Sequence, residues 1–510
     1  MSNVLIINMG LKSIRCIIFD QNGRKLGAAA LAINTAINDK QVEQEPSEWS
    51  EKAKAVMEKA FVEAGKIRID YITVTTSASS LVCVGSDGVP LGRAIMVSDK
   101  RAAEEAQMIA QLPEFVKVQE ATGLNISASL MLPKILWMKR NQPEIFYKTA
   151  FFLTPNDYLI HYISDVVVTD YLNAVKYHYD IHTQQYPDEL LKKLQIPSSK
   201  MPDVVNVGEK VGKIRPQLAE ETGINGDAQI VITSYDAICS FIGSGVSEEG
   251  EASDVSGTVT VFRAFTKKNN IKSTDKIYGL PFYLGGNQIV GGSNNLGGGL
   301  IEWVKQCYYQ KEEYPYEIME KDAAESELGA RGLIFLPYLL GERTPLWDDN
   351  ARGVFFGLER MHTRKDMTRA VFESTGFIDL DIIGAIREAG VDVQSVRLSG
   401  GLARVNLISQ IKADILGRDV CVLSEFETTA SGAAMMVCMG QGIYPTLKEA
   451  ADQFAEIRMI VKPNMENHKK YAYMYELYHS TYDALKELFV SRKETLGKLR
   501  SDRKIQIENL

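Results

Sequence analysis

Short apolar runs separated by glycine turns open the chain. Residues 4–8 read as a strand, apolar through Ile7, Met9-Gly10-Leu11-Lys12 reads as a turn, and residues 14–20 return as a second strand. Gln21-Asn22-Gly23 carries the Asn-Gly hairpin signal into another short strand. Residues 71–75 predict a further strand, and the stretches around 98–111 and 132–140 have helical spacing. Residues 230–233 form a short β-branched run that ends at Ser234-Tyr235-Asp236. After the acidic, glycine-bearing break Ser247-Glu248-Glu249-Gly250-Glu251, the opening theme returns: residues 252–256, the turn Gly257-Thr258, then residues 259–262. Gly-Val-Phe-Phe-Gly-Leu at 353–358 predicts a tight strand followed by a helix. Thr363 can cap that helix, with Asp366 three residues on completing a capping box. The helical pattern stops near Gly390; residues 396–399 run into Gly400-Gly401, and a second helix ends at Gly417. From Lys469 onward Tyr471, Met474, Tyr475, Tyr478, Tyr482, Leu485 and Leu488 recur at three and four residues. That spacing predicts an amphipathic closing helix packed on the domains.

Strands and helices alternate, so the fold class expected is α/β. A chain of 510 residues exceeds one core, since domains hold roughly 100–200 residues. The acidic break places a boundary between 246 and 247, giving domains 1–246 and 247–460 and a helical extension 461–510. The net charge of -8 argues against a nucleic-acid partner, which calls for a basic stripe. No apolar run approaches the ~20 residues of a membrane span, so no membrane partner is expected. Six dispersed cysteines without a Cys-x-x-Cys pair speak against zinc or disulfides and for a reducing, cytoplasmic setting. His178 and His182, four apart in Tyr-rich and β-like surroundings, are expected to be structural rather than a ligand pair.

The segment from Gly353 to Glu373 resembles the second signature of the FGGY carbohydrate kinases. Lys134-Ile-Leu-Trp137-Met-Lys resembles the core of the first signature, with Met131 where Pro, Ser or Thr is usual. Leu336 to Trp347, and Glu427 to Ala434 with its Ser-Gly-Ala-Ala, are similar to the xylulokinase-like branch. The three opening strands begin as an actin-like, ribonuclease-H-like ATPase domain does. Two such domains flanking a central cleft are implied, sugar-binding first and nucleotide-binding second.

Phosphoryl transfer needs a proton acceptor, phosphate cradles, a divalent cation and exclusion of water. The resemblance implies ATP and Mg²⁺, a small ketose or polyol (xylulose-like) as substrate, and association as a homodimer. It makes Asp236 the general base, against the alternative that Asp236 only caps a helix from Ala237. Phosphate cradles are implied at Asn8, Gly10, Lys12 and Ser13, at Gly257 and Thr258, at Gly298, and at Gly400, Gly401 and Asn406. Lys12 either touches a phosphate or points to solvent. Sugar contacts are implied at Ser77, Ala78, Ser79, Asp99, Tyr235 and Asp236; Asp99 is equally readable as the N-cap of helix 100–111. Thr169-Asp170-Tyr-Leu-Asn173-Ala174 reads either as a loop held by its Asp and Asn side chains or as a place near the sugar.

The chain also departs from the family pattern. Asn8 stands where an aspartate usually positions hydrated magnesium, and Leu402 replaces a third glycine beside the expected adenosine. Ser77-Ala78-Ser79 replaces a Met-His pair, and Val97 replaces a tryptophan. A changed substrate or a decayed pocket follows, so a non-catalytic sugar or nucleotide sensor is the alternative function. An actin-like filament or chaperone ATPase ranks last.

Overall fold

The computed structural model describes residues 1–268, 271, 276–425 and 427–508, with side chains through 499. The expected closing extension therefore ends outside the described residues at 509 and 510. Two sheets organise the chain. The first has six strands in the spatial order Lys210–Lys213, Gln229–Val231, Tyr71–Thr76, Asn3–Met9, Ser13–Asp20, Lys25–Ala32. The alternating burial of Ser13–Asp20 marks a strand with one face in the core. Asn3–Met9 pairs antiparallel with it, Asn8 opposite Arg15, and parallel with Tyr71–Thr76.

The second sheet has seven strands: Tyr278–Phe282, Asn287–Ser293, Thr260–Thr266, Glu251–Ser256, Ser395–Gly400, Asp419–Leu423, Ile457–Val461. Its start repeats the first. Glu251–Ser256 is antiparallel to Thr260–Thr266 and parallel to Ser395–Gly400. The faint sequence echo is thus a repeat of topology.

Two helices join the lobes. Asp236–Gly243 and Thr428–Gly440 cross in a shared core, with Val4, Ile6 and Val231 from the first sheet and Phe265, Phe282 and Ile289 from the second. The crossing is close enough that only glycine fits. A Cβ on Gly243 would overlap the Thr428 carbonyl oxygen, and one on Gly432 would overlap that of Cys239.

Local signals place most element ends. Thr363 and Asp366 form the expected capping box of helix Arg364–Glu388, and Gly417 ends Asn406–Leu416 in the left-handed region at φ 61°. Helix Met465–Glu508 buries Tyr471, Tyr478, Tyr482 and Phe489 against the second lobe. Three expectations shift. The helix expected from 98 begins at Ala103, the strand expected at 230–233 is Gln229–Val231, and the following helix starts on Asp236 itself. His178 sits after the 3-10 turn Val175–Tyr177, not in β-like surroundings. It packs edge-on to Phe115, and burial pushes its imidazole down to about 4. Among the described residues no helix is long and apolar enough to cross a membrane.

Candidate active site

Asp236 is the first residue of its helix, and Tyr235 precedes it in extended conformation. A carboxylate there meets the positive end of the helix dipole, yet it is packed densely enough that burial dominates. Desolvation pushes Asp236 up to about 6, against the Ala237 amide and the cations Arg263 and Lys176. Arg263 reaches over from the second sheet and donates to the Ala237 carbonyl. Lys176 stands 4.9 Å from the centre of the Tyr235 ring.

Behind this segment the residues 169–174 act as a brace. Asp170 is wholly buried; its Oδ1 accepts from Ser234 Oγ at 2.8 Å and from the Leu172 and Asn173 amides at 3.0 and 3.1 Å. Burial pushes its carboxyl up to about 7. The element is not a loop but the end of strand Val168–Asp170 and the short helix Tyr171–Ala174, which Asp170 caps.

In front lies a cavity of about 230 Å³ between the lobes. Tyr235 and Lys176 wall it from one side, Arg263, Tyr278, Arg343 and Trp347 from the other. Ala78 is partly buried against the same apolar cluster as Tyr235 and Leu124. Ser77 donates its amide to the Met9 carbonyl at 3.2 Å, tying the segment to the first glycine turn. Ser79 has φ 65°, and its carbonyl accepts from the fully buried Lys134. Asp99 does not cap the helix, whose first residue is Ala103. It is 1 % exposed, its Oδ2 accepts from the Val42 amide at 2.7 Å, and Arg101 Nη2 lies 2.8 Å away. The charge of Arg101 at this spacing outcompetes the helix end three residues on.

A second cavity, about 410 Å³, lies among Gly298, Ile301, Glu302, Tyr316, Gly401 and Leu402. Its floor is a knot of turns. Gly298 donates to the Gly257 carbonyl at 2.7 Å, and Gly297 to the Thr258 carbonyl at 2.9 Å. Gly400, at φ 83°, lies so close to the Ser256 carbonyl that a Cβ there would overlap it. Gly10, whose amide donates to the Ser13 carbonyl at 3.0 Å, has open space where a side chain would stand. Lys12 is exposed, and its charge is felt by Glu302 across the cleft. Leu402 is 2 % exposed and forms wall rather than filling. Asn406 is exposed at the start of its helix, 3.4 Å from Arg458. Asn8 is half-buried at the end of its strand.

Backbone amides in open glycine turns suit phosphate oxygens. Among the described residues no three His, Cys, Asp or Glu side chains gather to hold a metal alone. That fits magnesium carried on nucleotide phosphates, which needs one or two protein oxygens and keeps its waters.

The FGGY family of carbohydrate kinases matches this chain twice: its N-terminal domain over residues 3–243 and its C-terminal domain over 253–440. The chain belongs to the FGGY family. It is a carbohydrate kinase using ATP with a divalent cation such as Mg²⁺. A xylulose kinase of Bacillus subtilis is 28% identical over 505 residues, covering 97% of this chain and 99% of the relative. A gluconokinase of the same species is 25% identical over 458 residues, with 88% of each chain covered. The ligand-bound xylulose kinase structure from Lactobacillus acidophilus has a TM-score of 0.88 at 24% identity, covering 96% of this chain and 100% of its own. These relatives are named as kinases and lend the sensor alternative no support.

Sequence reasoning missed Lys176, Arg263 and Arg343, although an arginine inside the apolar strand Thr260–Thr266 was a visible signal. It also missed the wholly buried Lys412, 2.5 Å from both Asp254 and Asp379 beneath the second-lobe turns. Ser256 Oγ donates to Asp254 Oδ1 at 2.5 Å, so this cluster supports the Gly257 loop directly.

Proposed function

We propose that Asp236 accepts the proton of a substrate hydroxyl as that oxygen attacks the γ-phosphorus of ATP. The observation that carries this is a carboxyl poised at about 6 beside a cavity walled by both lobes. Near neutral pH such a group is ionised, yet basic enough to take a proton as the hydroxyl becomes a nucleophile. Asn8, Gly10, Lys12 and Ser13 of one lobe and Gly257, Thr258, Gly298, Gly400, Gly401 and Asn406 of the other would hold the nucleotide. The backbone amides of these turns other than those of Gly10 and Gly298, which are already bonded within the turns, would meet its phosphates, and the Asn8 oxygen would face its magnesium, which neutralises the developing charge. Tyr235 and the Ser77-Ala78-Ser79 segment would shape the acceptor pocket. Asp99 would act at one remove, by orienting Arg101 over Trp137 at 4.9 Å.

The division at 246/247 falls between the crossing helix and the second sheet, which supports one sugar-binding and one nucleotide-binding domain, with a helical extension from 461. A xylulose-like ketose or polyol is the starting expectation for the substrate, resting on the relatives' names. Homodimeric association and a cytoplasmic setting are proposed on family grounds alone.

The test is ADP release with Mg-ATP across ketoses, aldoses, polyols and sugar acids, beside Asp236→Asn. Turnover stimulated by one substrate class in the wild type and reduced by at least about a hundredfold in the variant is expected. Undiminished substrate-dependent turnover in the variant would withdraw Asp236 as base.

A further inference from the structure

The charge on the walls of the acceptor cavity is unbalanced. Lys176 comes from the turn after the Asp170 brace, Arg263 from the strand Thr260–Thr266, and Arg343 from the segment that also brings Trp347. Among the described residues none of the three has a carboxylate within ion-pair distance. Arg263 is 9 % exposed, and its recorded bond is to a neutral carbonyl, that of Ala237. Arg343 gives one amino group to the Asn294 carbonyl at 2.6 Å, while its Nε is buried without a partner. Lys176 lies over the Tyr235 ring.

Two acids stand near. One is Asp236. The other, Glu342, turns its carboxylate to the Asn295 and Arg343 backbone amides at 3.0 and 2.7 Å, and burial favours its neutral form. Three cations against one ionised base leave the cavity positive. Burying an uncompensated cation is costly, and three converging on one space are retained where a ligand supplies the opposite charge.

Beyond the phosphoryl group being transferred, the nucleotide's charge lies elsewhere. Neither the Gly10, Gly257 and Gly400 turns nor Gly298 reaches this cavity, and its lining shares no residue with the nucleotide cavity. At about 230 Å³ the space lies below the roughly 300 Å³ of pockets for drug-sized ligands, so the anion is small. Tyr278 and Trp347, whose rings meet edge-on at 6.0 Å, offer an apolar wall beside the charges.

We infer that the phosphoryl acceptor is an anion: a small polyhydroxylated acid whose carboxylate is bound by Lys176, Arg263 and Arg343, in place of a neutral ketose or polyol. This rests on the kinase reading above. The acceptor oxygen–γ-phosphorus bond forms as the bond from that phosphorus to the β,γ-bridging oxygen breaks. ADP leaves with the electron pair, and the hydroxyl proton passes to Asp236. The carboxylate takes no part in the chemistry; it fixes which hydroxyl faces the base.

The test compares matched acceptors, five- and six-carbon aldonic acids against the alditols and ketoses of equal length, by coupled ADP release. Wild type, Lys176→Gln and Arg343→Gln are compared, since neither variant removes the Arg263 contact to the base helix. The acids are expected to exceed their neutral partners at least tenfold in kcat/KM. Either variant should lower the acid value at least tenfold, mainly through KM, and at least threefold more than it lowers the neutral value. Thermal shift of the Asp236→Asn protein with each acid and alditol reads binding without turnover. A neutral sugar preferred over every acid, or variants that lower both classes equally, overturns the anion inference while the kinase stands. Acids that stabilise the Asp236→Asn protein in preference to alditols, with no compound turned over by the wild type, keep the anion site and overturn the kinase reading. Silence in both assays overturns both.

Discussion

The Asp236→Asn protein should be more stable than the wild type, and only above a defined pH. Burial raises the Asp236 carboxyl from its ordinary 3.8 to about 6. At 1.36 kcal/mol per pKa unit, holding it ionised in the folded state costs up to about 3 kcal/mol. The residue keeps some contact with solvent, so about 1–3 kcal/mol is expected. The sign follows from linkage. A carboxyl raised on folding contributes its stability below 3.8 and loses it as pH rises through about 6, so the full penalty is present at pH 8. Asparagine, neutral throughout and close in shape, escapes that penalty. Urea melts of the two proteins at pH 8 should therefore differ by about 1–3 kcal/mol in favour of the variant, narrowing to nothing near pH 4. Wild-type kcat/KM should rise through pH 6 and level off above it. A variant less stable than wild type at pH 8, or a gain that ignores pH, would refute the claim that Asp236 is held ionised against its surroundings.

Gly432→Ala should destabilise the protein by at least about 3 kcal/mol in denaturant melts, because its Cβ overlaps the Cys239 carbonyl where two helices cross; a cost below about 1 kcal/mol would mean the crossing yields. Lys412→Met should cost about 3–5 kcal/mol by leaving Asp254 and Asp379 facing each other uncompensated, and should raise KM for ATP more than for the sugar. Equal effects on both substrates would sever that cluster from the Gly257 loop. Asn8→Asp, which restores a charge at the first turn, should lower the Mg²⁺ needed for half-maximal rate several-fold, about 1 kcal/mol, in a magnesium titration at saturating ATP; an unchanged titration would show that residue 8 does not face the metal.

The legible parts of the fold are those decided locally. The apolar-rich run of residues 14–20, the Asn22-Gly23 turn, the Thr363–Asp366 box and the glycine at 417 each specify backbone within a few residues, and each is found. Asp99 shows where local logic stops. An aspartate before a helical pattern reads as a cap, but Arg101 two residues on offers a buried ion pair, and the helix waits until Ala103. The cationic wall was less legible still. Lys176, Arg263 and Arg343 lie in three distant segments, and only the closing of the two lobes brings them to one space. Asp236 could be singled out by its motif; its neighbours could not.

That asymmetry bears on how the enzyme works. The helix that starts at Asp236 ends at Gly243, against Gly432 of the other lobe's helix, and is held a second time by Arg263 on the Ala237 carbonyl. Asp236 is therefore fixed to the junction between lobes rather than to either one. The acceptor wall also comes from both lobes, so its charge is complete only when they are together. Two cations over one carboxylate keep that carboxylate ionised despite its burial, and an anionic acceptor would relieve exactly the excess they leave. The choice of acceptor and the ionisation of Asp236 thus share two side chains, Lys176 and Arg263. Changing Lys176 or Arg263 should shift the pH profile of turnover as well as the choice of substrate, with loss of the cation raising the pH at which Asp236 ionises.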